Sequence, residues 1–442
     1  MSLKRQFFKY VIPSVLSMWI FALYTMVDGI FVSWGVNENA LAAVNLSMPY
    51  VDFIFAVGIL FATGTSTVVA IALGQNDRRS ACRYFNQNLL VVSAVCILLS
   101  AVTLCNLEKI CIFLGGGEDT LSYVKDYVGT IAPFAVFFAV SYNLEVQVKD
   151  DGSPLVSSIG VLSCGLMNIL LDYVFVMRFH WGIQGAAFAT GLAQVTSTAV
   201  FVLYFIFRRH RLQFGWFGLE LSAYRRIIPL GLSEGLTDLS NGIVIFAFNI
   251  AIIRTLGAEM VTCYTVVSYV NTLVLSTMSG ISQGIQPVTS FYFGAGKRDC
   301  CHRILRFGLA AVAICSAALF LPSELFAPGI VRMFLPESSR LFRYTVGALR
   351  TFGTSFLLAG FNILMSGYFT AVDLPQYAFP ISIGRSLVLL LLSLAFCTLV
   401  LGGNWLWLAA AMSELLCLIL TGMLTLCYCR RIRSREPDGI KK

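Results

Sequence analysis

The chain has 442 residues, of which 57% are hydrophobic and 12% are charged, and its formal net charge is +8. A soluble domain carries about 25% charged residues, so this chain has too little polar surface to cover a water-soluble globule. The composition therefore excludes a secreted protein, a nucleic-acid-binding protein and a cytosolic enzyme with a large catalytic domain.

Apolar runs long enough to cross a bilayer recur along the whole chain. A hydrocarbon core of about 30 Å requires about 20 apolar residues in a helix. The predicted fold class is thus an all-α integral membrane protein with twelve transmembrane helices. The predicted spans, in chain order, are 11–34, 40–73, 85–107, 121–146, 155–178, 183–207, 227–253, 260–293, 303–321, 343–371, 377–401 and 404–429.

The positions of the basic residues predict the orientation of these spans. Twelve crossings put both termini on one side, and the termini with the alternate loops on that side contain most of the 31 Lys and Arg residues. The positive-inside rule therefore predicts that both termini are cytoplasmic and that the protein lies in the cytoplasmic membrane. On this interpretation the basic stretches 208–211 and 430–435 anchor the topology.

Three segments recur in order at an offset of about 220 residues, which indicates an internal duplication. They are Ile12–Ser17 with Ile228–Ser233, Gly64–Gly74 with Gly284–Gly294, and Gly152–Pro154 with Val372–Pro375. The alternative is chance similarity between apolar helices. A duplication of six helices in the same orientation predicts two parallel, pseudo-symmetric lobes, a layout typical of secondary transporters. The predicted domains are an N-lobe at 1–207, a cytoplasmic linker at 208–226, a C-lobe at 227–429 and a basic tail at 430–442.

The loops contain no motif that would bind a nucleotide or a metal. There is no G-x-x-x-x-G-K-[ST] sequence, so we expect transport to be passive or driven by an ion gradient. Each of the three histidines, His180, His210 and His302, is isolated at a helix end, and the thirteen cysteines show no zinc-ligand spacing. We expect no metal, no cofactor and no enzymatic activity.

Two carboxylates deep in the first half form the first candidate site. Asp28 and Asp172 are each about 25 Å from the cytoplasmic start of their helix, in the outer half of the bilayer. Asn168 lies on the same helix face as Asp172, and Thr190 reaches the same depth on the sixth helix. These groups can share a proton or present oxygens to a small cation. The alternative is an ordinary polar contact between helices, worth about 1 kcal/mol.

A second set of ionisable residues is predicted in the second half. Glu234 and Asp238 stack at i and i+4 on the seventh span, so we expect at least one of them to hold a proton at neutral pH. Asn241 continues this face, and Arg385 on the eleventh span is predicted to neutralise one of the two acids. Glu414 is either part of this substrate cavity or acidic site, or a polar link to a neighbouring helix.

Prolines early in the first helix of each half are candidates for bending. Pro13 and Pro229 each remove a backbone hydrogen bond, which permits a bend that differs between states or a static kink. Asp52 follows Pro49 and either caps a helix break or has a function.

Several motifs, taken together and in order, resemble the multidrug and toxic compound extrusion (MATE) transporters of prokaryotes. The resemblance covers nearly the whole chain. It is carried by the segments Val27–Val32, Ala40–Val44, Asn168–Asp172, Gly182–Thr190 and Gln283–Pro287.

The resemblance implies two six-helix lobes and efflux of bulky organic cations coupled to inward sodium or proton flow. It assigns the family's amino-lobe cation network to Asp28, Asn168, Asp172 and Thr190, with Asn143 as a further member. It assigns the bending proline of the first helix to Pro13. Because the seventh span is also acidic, the working cation site is in either lobe, or the second acidic pair binds the substrate's charge.

The mechanism that follows is alternating access by an antiporter. An acidic pair couples the two fluxes because it favours either the ion or the drug but not both, and this difference in affinity shifts the equilibrium between lobe arrangements. A lipid-linked saccharide flippase of the same superfamily is the nearest alternative, but a diphosphate needs several buried basic residues. A membrane-embedded transferase is the next, and the isolated histidines argue against it. We expect a monomer in the lipid bilayer that acts on small organic cations.

Overall fold

The computed structural model describes residues 2–36, 38–207, 211–215 and 217–433. These residues contain helices and connecting turns and no strands. The first half consists of α1 (Leu3–Gly35), α2 (Glu38–Gly74), α3 (Arg78–Cys105), α4 (Leu107–Phe113), α5 (Leu121–Ile131), α6 (Ala135–Asp150), α7 (Pro154–Asp172) and α8 (Gly182–Phe207). The second half consists of α9 (Tyr224–Thr255), α10 (Val261–Gly294), α11 (Arg298–Leu325), α12 (Ala327–Arg332), α13 (Phe342–Gly353), α14 (Phe356–Ala371), α15 (Pro375–Ile383), α16 (Leu389–Phe396) and α17 (Ala409–Arg433).

Within the described residues, twelve helical segments have the length and apolar composition needed to cross a membrane, which confirms the predicted number. They are Leu3–Asp28, Ala42–Gly74, Arg78–Cys105, Leu121–Asp150, Pro154–Arg178, Gly182–Phe207, Leu221–Thr255, Ala258–Gly294, Arg298–Leu325, Phe342–Ala371, Pro375–Leu401 and Trp405–Arg431. Several of them extend past the predicted ends because hydropathy detects only the apolar part of a helix. Residues 434–442 of the predicted tail and 208–210 of the predicted linker lie outside the described residues, as does His210.

The turns between helices repeat from one half to the other. Among the described residues, six of the nine with positive φ form pairs about 220 positions apart, at turns that the apolar pattern alone would not single out. The pairs are Asn76 (φ 61°) with Gly296 (φ 72°), Gly152 (φ 103°) with Asp373 (φ 61°), and Gly182 (φ 60°) with Gly402 (φ 95°). The duplicated halves therefore share turn geometry as well as sequence, as the predicted pseudo-symmetry requires.

The two halves contact each other mainly through α1 against α10, α2 against α9 and α2 against α10. Backbones meet there at glycines, which we call the glycine seam: Gly64, Gly74, Gly231 and Gly294. A Cβ at Gly231 would lie 1.8 Å from the carbonyl oxygen of Leu60, and one at Gly64 would lie 2.1 Å from that of Ile227. No side chain fits in such a space, so the seam is closed in this structure.

Polar contacts fix the helix ends at the loop side of the seam. The backbone N–H of Ser80 donates to the Asp77 carboxylate at 3.0 Å and caps the start of α3. Hydrogen bonds from Ser80 hold the pKa of Asp77 below its usual range. In the second half, Arg226 pairs with Asp373 at 2.8 Å and ties the start of α9 to the turn after α14.

Three helical stretches widen into π-helix, a feature often found at functional sites. They are Tyr173–Arg178, Gly384–Val388 and Cys397–Leu401. The first begins directly after Asp172, and the second contains Arg385. Both predicted prolines lie inside continuous helices, Pro13 in α1 and Pro229 in α9.

Candidate functional site

Asp28 of α1 and Asp172 of α7 lie together inside the first half. Their residues are 9% and 0% exposed, and the two carboxyl groups are close enough to act on each other electrostatically. No N–H or O–H of the described residues donates to either oxygen of Asp172 or to Oδ1 of Asp28. Two ionised carboxylates repel each other and can only accept hydrogen bonds, so a proton or a cation between them would stabilise this arrangement.

Asn168 and Thr190 form the next polar contact on the same helices. The Asn168 amide donates to Thr190 Oγ1 at 3.4 Å, and the Thr190 hydroxyl donates to the carbonyl of Ala186 at 3.0 Å. Asn168 is 1% exposed, and its Oδ1 has no donor among the described residues. An amide oxygen without a donor, one turn from an acid pair, is a further oxygen that a cation can use.

The structure brings four of the five residues predicted for the amino-lobe network into this region and separates the fifth. Asn143 is buried in α6, where its amide donates to the carbonyls of Gly58 and Ala139 and its Oδ1 accepts from Asn88. Asn143 therefore links α6 to α2 and α3, and the described residues show no contact between it and the acid pair.

A small, partly open cavity of about 40 Å³ lies within the first half, between α1, α2, α6, α7 and α8, so a bulky ligand would require its walls to move apart. Its wall combines aromatic rings with hydroxyls, an amide and one carboxylate. The lining residues are Ser17, Met18, Phe21, Tyr24, Phe55, Ser141, Tyr142, Glu145, Val161, Cys164, Gln194 and Ser197. Aromatic faces with a nearby carboxylate suit a flat organic cation. The charge of Asp28 also acts on Tyr24, which connects the cavity to the acid pair.

Sequence reasoning missed the ion pair behind this wall. Lys149 Nζ lies 2.9 Å from Glu145 Oε1, and the two side chains are 2% and 7% exposed. The predicted fourth span ended at residue 146 and left Lys149 in a loop, whereas α6 continues to Asp150. The signal available was the spacing, because Glu and Lys at i and i+4 face the same side of a helix.

On α9, Glu234 is tied to the rest of the protein by two hydrogen bonds. Thr63 Oγ1 donates to Glu234 at 2.9 Å, and the Gln286 amide donates to its other oxygen. Asp238 is partly buried, and the charge of Asp52 on α2 acts on it. Asp52 therefore faces α9 across the lobe interface, while Asn241, predicted to continue the acidic face, is exposed.

Arg385 does not neutralise the acids of α9, so that prediction needs correction. Its Nε lies 2.8 Å from Glu414 Oε1, with both side chains largely buried. Asn362 donates to Glu414 Oε2 at 2.8 Å, and the Thr421 hydroxyl donates to Asn362 Oδ1 at 3.1 Å. The prediction rested on the depth of Arg385 in the membrane, which is similar to that of the α9 acids. The rotation of its helix directs the Arg385 side chain toward Glu414 of α17 instead.

We expect Arg385→Met to destabilise the protein by about 3–5 kcal/mol, because Glu414 would be left buried without its cation. The double variant Arg385→Met with Glu414→Leu should recover most of this loss. Thermal unfolding of the purified variants in detergent measures the effect. A single variant as stable as the parent protein would show that the pair is dispensable.

The described residues contain no group of three His, Cys, Asp or Glu side chains that could hold a metal ion. The cysteines of the described chain are free thiols.

Comparison with known proteins gives consistent matches. A family model described as MatE matches residues 13–174 and 239–396. The multidrug export protein MepA of Staphylococcus haemolyticus is 22% identical over 397 residues, which cover 88% of this chain and 86% of that protein. A crystal structure of MATE in complex with MaL6 has a TM-score of 0.92 at 20% identity and covers 97% of both chains. A MOP superfamily transporter from Pyrococcus furiosus, described with a binding pocket of reversed polarity, has a TM-score of 0.89 at 21% identity, covering 97% of this chain and 96% of that one.

The family model matches one segment in each half and more than half of the chain in all. The solved structures share the fold over nearly the full length. These matches and the twelve apolar helices agree with the motifs that carried the resemblance. The chain is a multi-pass membrane protein and belongs to the MATE family of transporters.

Proposed function

We propose that this protein exports organic cations by alternating access and that inward flow of protons or sodium drives the export. The observation that carries the proposal is the contact between Asp28 and Asp172, whose oxygens have almost no donors among the described residues. Binding of a proton or a small cation to such a pair can change the free-energy difference between the two lobe arrangements. The MepA relatives are named as multidrug export proteins, which supports drugs as the substrate class.

The substrate is proposed to bind in the cavity of the first half. Phe21, Phe55, Tyr24 and Tyr142 supply ring faces, and Glu145 supplies negative charge. A ring face attracts a cation by about 0.5–2 kcal/mol, so several rings and one carboxylate give useful affinity without strict shape selection.

Coupling follows if the ion and the substrate favour different lobe arrangements. In this scheme the ion enters from outside and binds between Asp28 and Asp172. Tyr24 lines the cavity and lies one turn before Asp28 on α1, so neutralising the pair would reduce the negative potential at the cavity. Both termini are proposed to be cytoplasmic, which puts the closed glycine seam on the inner side.

A flippase for lipid-linked saccharides is the alternative that this charge pattern disfavours. A diphosphate needs free basic groups, yet Lys149 and Arg385, the buried cations described above, are each paired with a glutamate. The described cavity therefore offers no unpaired cation to a phosphate.

The proposal is tested with purified protein in liposomes that contain ethidium, a permanently charged dye. Sodium and proton gradients are imposed separately, with protein-free liposomes as the control. We expect one gradient to drive ethidium movement against its own gradient. Movement that ignores both gradients would mean that the protein is a passive carrier.

A further inference from the structure

Lys149 is a buried cation that the proposed transport cycle does not use. Its ammonium is buried within α6, and Glu145 is its one ion-pair partner among the described residues. The Ser157 hydroxyl donates to the same Glu145 oxygen at 3.0 Å. Glu145 lines the cavity, whereas Lys149 is not among the lining residues. The Glu145 carboxylate therefore faces the cavity and is also paired with the Lys149 ammonium.

In this arrangement Lys149 and a bound organic cation would compete for the Glu145 carboxylate. A carboxylate in a low-dielectric cavity is unfavourable without a cation, and Lys149 supplies one when the cavity is empty. An organic cation that enters the cavity must share or replace that partner. Lysine suits such an exchange, because its ammonium is a point charge on a flexible four-carbon stem.

Two further carboxylates lie near enough to Lys149 to feel its charge. Its charge acts on Asp150, the next residue of α6, and on Glu234 of α9 in the opposite half. Both acids contact α2 one turn apart, because Ser66 donates to Asp150 at 3.0 Å and Thr63 donates to Glu234 at 2.9 Å. Glu234 accepts hydrogen bonds from Thr63 and Gln286, and a carboxylate has about four acceptor sites, so Glu234 retains acceptor sites for an ammonium.

Tyr142 lies one turn before Glu145 on α6 and is connected toward Glu234 through α10, where Gln283 contacts Tyr142 and Gln286, one turn further on, donates to Glu234. The charges of Glu145 and Glu234 both act on Tyr142, and the Gln283 amide of α10 donates to its hydroxyl at 3.4 Å. Polar groups thus continue from the cavity wall across the interface to α9 and α10.

We propose that Lys149 is a tethered stand-in cation, bound to Glu145 when the cavity is empty and displaced toward Glu234 when an organic cation binds. This inference rests on the proposed function, since it takes the cavity as the substrate site. It makes Lys149 a specificity-determining residue: a ligand must carry a positive charge to displace it. It also links cavity occupancy to a new ion pair between the halves.

Equilibrium binding of ethidium to the purified protein in detergent, without any gradient, tests the proposal. Lys149→Gln removes the competitor, so ethidium should bind more tightly, by about 5-fold or more, as expected for coupled sites. Glu145→Gln should weaken binding to a similar extent. A neutral aromatic dye of similar size should bind all variants alike. Lys125→Gln is the matched control, because Lys125 pairs with Glu108 in a partly exposed ion pair of the same half.

Lys149→Arg keeps the charge and tests the proposal if Lys149→Gln does not fold. A planar guanidinium holds a carboxylate with two hydrogen bonds and is harder to displace, so ethidium should bind more weakly. Equal ethidium affinity in Lys149→Arg and the parent protein, or unchanged or weaker binding in folded Lys149→Gln, would overturn the proposal. Because no ion gradient is used, failure of the ion-coupling scheme would leave these results unaffected.

Discussion

Asp172→Asn should reduce gradient-driven ethidium transport in liposomes by about 100-fold. Asparagine has nearly the same shape but cannot be ionised, so the pair with Asp28 can no longer alternate between an ion-bound and an ion-free form. Coupling between two sites is typically worth about 1–3 kcal/mol, which corresponds to about 5–150-fold. The variant should fold normally, because it replaces a buried carboxyl that receives no donor among the described residues.

The matched control is Asp119→Asn, which removes the same charge from an exposed position in the loop before α5. It should transport at the parental rate. A parental transport rate in Asp172→Asn, under the gradient that drives the parent protein, would remove the acid pair from the coupling mechanism.

Gly231→Ala should have the second large effect, because it obstructs the glycine seam. The added Cβ would lie 1.8 Å from the carbonyl oxygen of Leu60, and backbone atoms cannot move aside cheaply. Overpacking of this kind costs about 1–3 kcal/mol. That cost falls on the arrangement in which the seam is closed, and each 1.36 kcal/mol is a tenfold change in population. Transport should fall by about 10-fold or more.

Spin labels at the exposed Arg79 and Arg225, introduced as unnatural amino acids, report the separation of the two halves near the seam. The distance distribution should shift to longer values in Gly231→Ala. Gly422→Ala is the control, since that glycine is exposed in α17 and has no atom within 4 Å of its added Cβ. An unchanged distance distribution and an unchanged transport rate in Gly231→Ala would show that the closed seam accommodates the added Cβ and that its packing does not limit transport.

The fold was predictable because apolar runs and an internal repeat can be identified directly in the sequence. Twelve apolar runs and the offset of about 220 residues predicted the helices and the duplication. Helix ends were less predictable: α6 continues to Asp150, well past the apolar run. Charged residues can extend a helix where neighbouring elements bury them in pairs, and hydropathy does not detect such pairs.

For the candidate site, the sequence predicted how deep each residue lies in the membrane but only partly which neighbouring helix its side chain faces. Counting residues placed Asp28 and Asp172 at one level, and helix periodicity placed Asn168 beside Asp172. The side to which a helix turns depends on packing, and the sequence does not encode that packing in a simple period. Arg385 therefore pairs with Glu414 rather than with the acids of α9, and Asn143 contacts α2 and α3.

Ion movement driven by substrate tests the central claim most directly. In sealed liposomes with equal pH and equal sodium on both sides, an ethidium gradient alone is imposed, and internal pH and labelled sodium are followed. Coupling is reciprocal, so the parent protein should move protons or sodium against the ethidium flow, and Asp172→Asn should not. Ethidium flow without movement of either ion in the parent protein, or equal ion movement in Asp172→Asn, would contradict the account.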